Sequence, residues 1–376
     1  MRGSIRKRGN KWCFITDVPT PDGTRKQKWF SGFATRREAE AASARIISEI
    51  DGGAFVEPSA IKVGEFLTYW LAAYAATNVA AKTLQTYTEI VERSLIPALG
   101  HVRLCKLSPA QIQGFYSQQL TSGRKAGGGL SARTVHHIHT VLHESLKHAV
   151  KWQMLSRNPS DAVDPPRPLR TEVVVLDAEQ SRQLLAAAEG TEHYIPVLLG
   201  LSTGMRRGEI FALRWSDVDL ERSLLTVNRS LEQTHAGLSF KSPKTAKSRR
   251  QIALPAECAA RLKSCKTKQA GARLLLGEAY QNNDLVCCRG DGSPIKPDSF
   301  SVAFKAFATR IGMPGLSFHK LRHTHATALL RANIHPKIVS ERLGHSTVGI
   351  TLDTYSHCLP GMQVEAAASI DAALFA

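Results

Sequence analysis

The chain has 376 residues, which at about 150 per domain implies two or three domains. Hydrophobic residues make up 43% and charged residues 22%, so each domain can bury a core of its own. Lys and Arg outnumber Asp and Glu by 49 to 32, a formal net charge of +17. That field favours polyanions, nucleic acid ahead of anionic membrane, and it argues against a disulfide-stapled secreted scaffold or a membrane-embedded chain.

The cysteines agree with this. Cys13, Cys105, Cys258, Cys265, Cys287, Cys288 and Cys358 are scattered, odd in number and without CxxC spacing, as expected of reduced thiols in a cytoplasmic protein. The basic start MRGSIRKRGN is followed by no apolar run, so a signal peptide is not expected. The apolar patch from Tyr69 to Ala76 is too short to span a bilayer.

Residues 1–55 form the first compositional unit. Trp12–Thr16 and Lys28–Phe33 read as short strands, with Pro21-Asp22-Gly23-Thr24 as a hairpin turn, because Asp-Gly supplies the positive φ a tight turn needs. Thr35 is placed to cap a helix through Glu38 to Ile50 that ends at Gly52-Gly53. Basic and aromatic residues interleave here, and a small sheet of this kind can face a DNA groove. The residues expected to contact DNA are Arg6, Lys7, Arg8, Lys11, Arg25, Lys26 and Lys28.

Residues 62–160 read as an all-α unit. Val63, Phe66, Leu67, Trp70 and Leu71 recur at helical steps; a second pattern, Tyr87, Ile90, Val91, Ser94 and Leu95, is expected to end at Pro97 and Gly100. Ser108-Pro109 opens a third helix, Gly127-Gly128-Gly129 is a loop, and Ser131 caps a long helix to about Trp152, closed off by Asn158-Pro159. That helix carries His136, His137, His139, His143 and His148. The spacing of His136, His139 and His143 would suit a metal, but Glu144 is the sole carboxylate near them and no cysteine is close, so no metal is expected.

The stiff run Asp164-Pro165-Pro166-Arg167-Pro168 marks a domain boundary, beyond which residues 173–376 mix helices with a strand-rich patch at about Leu224 to Leu254. Asp177 and Gln180 form a capping box for the first helix.

Four pieces of this last region could carry chemistry. In Thr203-Gly-Met-Arg-Arg-Gly-Glu, Arg206 and Glu209 are three apart, so on a helix the carboxylate can orient the guanidinium and leave its fork for a phosphate. The run Lys241-Ser-Pro-Lys-Thr-Ala-Lys-Ser-Arg-Arg has five basic residues and no acid, flanked by strand-like Leu224–Val227 and Gln251–Leu254. It reads as a basic hairpin that favours a polyanion, with Lys241, Lys247 and Arg249 expected at DNA. Phe318-His-Lys-Leu-Arg-His-Thr-His sets His319 and Arg322 on one helical face; His323, four residues after His319, resembles a metal pair that lacks the glutamate of a zinc-protease motif. Finally Leu343-Gly-His-Ser precedes Thr351-Leu-Asp-Thr-Tyr-Ser-His, where Gly344 can end one helix and Ser346 cap the next, placing Tyr355 on a short segment.

Together these pieces resemble the tyrosine recombinase (phage integrase) family, whose ordered signature is Arg, Lys, His-x-x-Arg, His or Trp, Tyr. The sequence supplies Arg206, Lys244, His319, Arg322, His345 and Tyr355 in that order. Lys241 and Lys247 lie near Lys244, whose place in Pro-Lys-Thr favours it. The two earlier units look like an arm-binding and a helical core-binding (SAM-like) domain, so the resemblance spans essentially the whole chain.

The resemblance implies a multidomain protein: a small β-sheet plus helix, an all-α core-binding domain, and a mixed, mainly α catalytic domain with a small β-sheet. It implies Tyr355 as the nucleophile that forms a 3′-phosphotyrosine, Arg206 and Arg322 on the phosphate oxygens, Lys244 as general acid, His319 and His345 in proton handling, and Glu209 orienting Arg206. No cofactor is implied. Implied partners are double-stranded DNA at core-type and arm-type attachment sites, three further protomers in a homotetramer, and host DNA-bending and directionality factors. The C-terminal apolar residues Met362, Val364, Ile370, Leu374 and Phe375 are expected to dock on a neighbouring catalytic domain, against the alternative of folding back on their own. The basic first unit favours a phage or mobile-element integrase over a chromosome-dimer resolvase; the competing readings are a topoisomerase that only relaxes DNA, a non-catalytic DNA binder derived from an integrase, and a metal-dependent hydrolase.

Overall fold

A computed structural model describes residues 4–19, 24–52, 60–124, 127–169, 175–242, 249–355 and 362–375. The turn expected at Pro21 to Gly23, the lysines Lys244 and Lys247, and Cys358 lie outside the described residues. The chain divides into two compact units, Met1–Arg170 and Thr171–Ala376.

In the first unit, β1 (Ser4–Arg8), β2 (Lys11–Pro19) and β3 (Arg25–Phe33) form an antiparallel sheet in the order β1-β2-β3. The strand β1 was not foreseen. Its residues are mostly polar, and it pairs with β2 through a tight connection at Gly9, whose φ of +62° suits a residue without a side chain. The central strand buries Cys13, Phe14, Ile15, Thr16 and Val18, with Phe14 stacked on Phe30 at 4.9 Å between ring centroids. Helix α1 (Arg36–Asp51) follows, its first turn closed by the Thr35 hydroxyl, which accepts from the Glu38 N–H as the sequence foretold.

The helical part begins with α2 (Val63–Trp70), which runs through a wide turn, Leu71–Ala75, into α3 (Ala76–Asn78). In the same way α4 (Ala81–Ile90) passes through Val91–Leu95 into α5 (Ile96–Leu99). Pro97 therefore does not end this helix. The wide turn resets the hydrogen-bond ladder, with the Ile96 N–H bonding back to the Val91 carbonyl, and Pro97 falls in the first turn of the continuation, where a missing N–H leaves nothing unpaired. Helices α6 (Pro109–Ser122) and α7 (Ala132–Lys151) begin at Ser108 and Ser131, both of which cap as expected. Val63, Phe66, Leu67, Trp70, Val91, Leu95, Ile112, Tyr116, Ile138 and Leu142 form one core. The long helix ends at Lys151; Asn158-Pro159 instead opens a separate short turn.

Three of the α7 histidines have hydrogen-bond partners within the protein. His139 Nδ1 lies 2.8 Å from the Tyr116 hydroxyl, His143 Nε2 lies 2.9 Å from Asp161, and His148 Nδ1 lies 2.9 Å from the Glu144 carbonyl. Among the described residues no group of three His, Cys, Asp or Glu side chains could hold a metal ion.

The second unit starts with α8 (Ala178–Ala188), capped by the expected Asp177–Gln180 box, then α9 (Tyr194–Thr203) and the short α10 (Arg207–Ile210). Strands β4 (Val218–Asp219), β5 (Leu224–Val227) and β8 (Arg250–Ala253) make one antiparallel sheet, and β6 (Ser230–Thr234) pairs with β7 (Gly237–Lys241) in a second. The flanking strands expected around the basic run do pair, Leu224 opposite Ala253, but a second hairpin sits between them. The basic run thus leads from β7 to β8 and is not the tip of the β5–β8 pair.

Helices α11 (Ala256–Leu276), α12 (Pro297–Arg310), α13 (Phe318–Arg331), α14 (Pro336–Leu343), α15 (Val348–Tyr355) and α16 (Met362–Phe375) complete the unit. Helix α15 starts at Val348, two residues after Ser346. The core gathers α9, β5, β8 and α12 around Phe211, Phe300, Phe304 and Phe318. Phe304 is fully buried, with Phe318 edge-on at 5.3 Å. Replacing Phe304 with Ala is expected to destabilise this unit by about 3–5 kcal/mol, read as a lowered denaturation midpoint.

Candidate active site

The site forms where four stretches distant in sequence meet. Gly204 ends α9 in the left-handed region (φ +65°), which turns the chain so that Arg206 sits at the start of α10. A Cβ on Gly204 would come within 2.6 Å of His325 and Leu343, so the turn also depends on the absence of a side chain. Arg206 and Glu209 meet, but not across a helix face: the Glu209 carboxylate accepts from the Arg206 backbone N–H at 2.9 Å and from its Nη1 at 2.9 Å. The carboxylate caps the helix and clamps the guanidinium together.

Sequence reasoning missed the second partner of that carboxylate. Arg250, on β8, donates from Nη2 to Glu209 at 2.8 Å and from Nε to the Arg342 carbonyl at 2.7 Å. The alternation of Arg250 with Ile252, both buried between exposed Gln251 and Ala253, was the available sign that this arginine points inward. Burial alone would raise the Glu209 carboxyl, yet Arg250 and then Arg206 outweigh it and hold the group below its usual value. Glu209 therefore stays charged.

Helix α13 supplies His319 and Arg322. Arg322 is 3% exposed and donates from Nη1 to the Gly204 carbonyl and from Nη2 to the Leu343 carbonyl, each at 2.7 Å. Burial, then the nearby charge of Arg206, pushes its pKa down to about 9, so it remains a cation at neutral pH. The two arginines staple the same loop, since Arg206 Nη2 donates to the Gly344 carbonyl at 3.2 Å. Gly344 is left-handed (φ +67°) and lies against the Arg250 guanidinium, and the turn presents His345. His345 Nδ1 is 2.8 Å from the Thr351 hydroxyl, and burial, with Arg322 and Arg206 adding repulsion, lowers its pKa to about 4. His319 is lowered as well, first by burial and then by Arg322.

Tyr355 closes the site from the end of α15. Arg206, His319, Arg322, His345 and Tyr355 line one cavity of about 390 Å³ with His323. A second feature missed from sequence is that His323 Nδ1 lies 2.7 Å from the Tyr355 hydroxyl. His323 shares a helix face with His319, and the half metal motif seen in the sequence is instead a contact with the tyrosine. Of the expected signature, five residues converge, and Lys244 lies outside the described residues.

The expected DNA-contact residues away from this cavity fall into two groups. Strand pairing puts Arg6, Arg8, Lys11 and Arg25 on one sheet face with half-exposed Trp29, and Lys7, Lys26 and Lys28 on the other. Arg249 is exposed, whereas Lys241 is ion-paired with Glu232.

Residues 174–361 match the phage integrase family, residues 4–50 an arm DNA-binding domain, and residues 62–119 the N-terminal SAM-like domain of phage integrases. The chain is 27% identical over 387 residues to a XerC-like tyrosine recombinase of Caldanaerobacter subterraneus subsp. tengcongensis, covering 97% of both chains. It is 27% identical over 266 residues to the ICEBs1 integrase of Bacillus subtilis, covering 70% of this chain and 72% of that one. Its fold is similar to the Tn1549 transposon integrase solved with transposon right-end DNA, at TM-score 0.70 and 20% identity over 84% of this chain and 100% of that one. It is also similar to the lambda integrase tetramer on a Holliday junction, at TM-score 0.56 and 18% identity over 91% and 95% of the two chains.

The buried charges predict how stability responds to acid. Glu209 is held below its unfolded value, and His345 and His325 fall to about 4 from an unfolded 6.5. For each of these the folded state binds protons less readily, so its contribution is present above the unfolded pKa and lost as pH falls through the folded one. The melting temperature should drop steadily from pH 6.5 to pH 4. Glu209→Gln should lower it by the equivalent of about 3 kcal/mol at pH 7, where Arg250 is left without its charge partner.

Proposed function

The chain belongs to the phage integrase family and is a tyrosine-type site-specific recombinase, and we propose that it integrates or excises a phage or mobile element with Tyr355 as its nucleophile. The observation that carries this is the convergence of Arg206, His319, Arg322, His345 and Tyr355 on one cavity. Two guanidiniums held in place by carbonyls and Glu209 make a fixed cationic seat for a phosphodiester, whose charge increases as a fifth oxygen approaches phosphorus.

In the proposed reaction Tyr355 Oη forms a bond to phosphorus while the bond to the 5′ oxygen breaks. Arg206 and Arg322 hold the non-bridging oxygens. Lys244 protonates the leaving 5′ oxygen, and His319 and His345, both neutral at pH 7, donate or accept hydrogen bonds around the phosphate. The phosphotyrosine conserves the bond energy, so the 5′ hydroxyl of another strand can reverse the step and exchange partners.

The wider assignments are supported by charge and by the matched families. The basic sheet of residues 4–50 suits arm-type DNA, and the helical part suits core-type DNA. Exchange between two duplexes calls for four protomers. Ile370 and Leu374 of α16 are 58% and 68% exposed, apolar surface available to a neighbouring protomer. Host bending and directionality factors, and a cytoplasmic location, follow from the same reading; no described helix is long and apolar enough to cross a membrane.

Covalent trapping tests the nucleophile. On a nicked duplex carrying the element's own end sequence, the protein should form an adduct that survives denaturation, with chelator present, and Tyr355→Phe should form none. Binding without any adduct would make the chain a DNA binder derived from an integrase. Replacing Arg6, Arg8 and Arg25 together should flatten the salt dependence of arm-site binding by up to about three in log–log slope, while core-site cleavage persists.

A further inference from the structure

The family signature explains His319 and leaves His323 without a task, yet His323 is the histidine that reaches the tyrosine. Its Nδ1 lies 2.7 Å from the Tyr355 hydroxyl, and the two rings stand 5.6 Å apart between centroids. His319 meets His323 edge-on at 4.9 Å between ring centroids. Tyr355 is 1% exposed, so bulk water has little access to its proton. From this geometry we propose that His323, rather than His319, receives the phenol proton when Tyr355 attacks phosphorus.

The inference rests on Tyr355 being the nucleophile. As the Oη–P bond forms and the P–O5′ bond breaks, the phenol proton passes to His323 Nδ1, and the leaving 5′ oxygen takes its proton from the general acid assigned to Lys244. In resealing, His323 returns the proton to Oη as the attacking 5′ hydroxyl gives its own to the lysine. No proton or electron is left over, and no co-reactant is required.

Titratable groups surround His323. His319, Lys320 and Arg322 face His323 from its own helix, His345 from the loop after α14, and Tyr355 from α15. Burial, then repulsion from His319, Arg322 and Lys320, lowers the imidazole to about 4, so at neutral pH its ring is unprotonated. A bound phosphodiester sets a negative charge against the same cations, which raises the proton affinity of the ring at the step that uses it.

The decisive measurement is the rate of adduct formation against pH in the preformed protein–DNA complex, for the unsubstituted protein, His323→Gln and His323→Ala. Glutamine can still hydrogen-bond the phenol but takes no proton. The expected result is adduct formation at least about 100-fold slower in His323→Gln, with DNA affinity unchanged. The variant's rate should climb tenfold per pH unit toward the ordinary tyrosine value of about 10, and the unsubstituted protein should stay level between pH 6.5 and 8. Added imidazole should speed His323→Ala. If His323→Ala fails to fold, the glutamine variant carries the test by itself. A glutamine variant that cleaves at the unsubstituted rate with the same pH profile overturns the inference and leaves Tyr355 as nucleophile. Absence of an adduct from the unsubstituted protein overturns both.

Discussion

Arg206 and Arg322 face one small cavity although their charges repel, and the carboxylate of Glu209, which Arg206 shares with Arg250, holds the first of them in place. Glu209 accepts from Arg206 and Arg250 at once; Glu209 and Arg250 are buried as a pair, while the Arg206 side chain stays partly in solvent. Arg322 has no carboxylate of its own in this set. Backbone carbonyls of Gly204 and Leu343 hold it, which accounts for its lowered but still cationic state. The arginine pair is therefore fixed in advance of any phosphate, as electrostatic catalysis requires.

The rest of the site is hung on that core of charges. The carbonyls of Arg342, Leu343 and Gly344 are held by Arg250, Arg322 and Arg206 in turn, and Gly344 lies close against the Arg250 guanidinium. It can take this shape because Gly344 adopts the left-handed turn that ends α14. Helix α15 follows directly and brings Tyr355 back to His323. A change at Glu209 would thus reach Tyr355 through the arginines and the loop, without touching the tyrosine itself.

Much of the fold is legible in the sequence. Helix boundaries with short side-chain caps, at Thr35, Ser108, Ser131 and Asp177, were readable because capping is a local contact over three residues. Helix cores at Val63, Phe66, Leu67 and Trp70 followed from their spacing. Local rules failed where a longer-range pattern intervened. Strand β1 carries no apolar alternation and is held by its pairing with β2; Pro97 is tolerated because the turn before it had already shifted the hydrogen bonds; and the basic run connects two sheets, with β6 and β7 set between β5 and β8.

The order and identity of Arg206, His319, Arg322, His345 and Tyr355, the basic charge and the three-part organisation were all determined by the sequence, because residue type, spacing and composition are local properties of the chain. Only the tertiary structure decided what those residues touch. That Arg250 shares Glu209, that three arginines hold the successive carbonyls of Arg342, Leu343 and Gly344, and that His323 meets the Tyr355 hydroxyl depend on contacts between segments far apart in the chain. Such contacts are set by how helices and strands pack, and helical spacing alone places His319 and His323 on one face without saying which of them the tyrosine will meet.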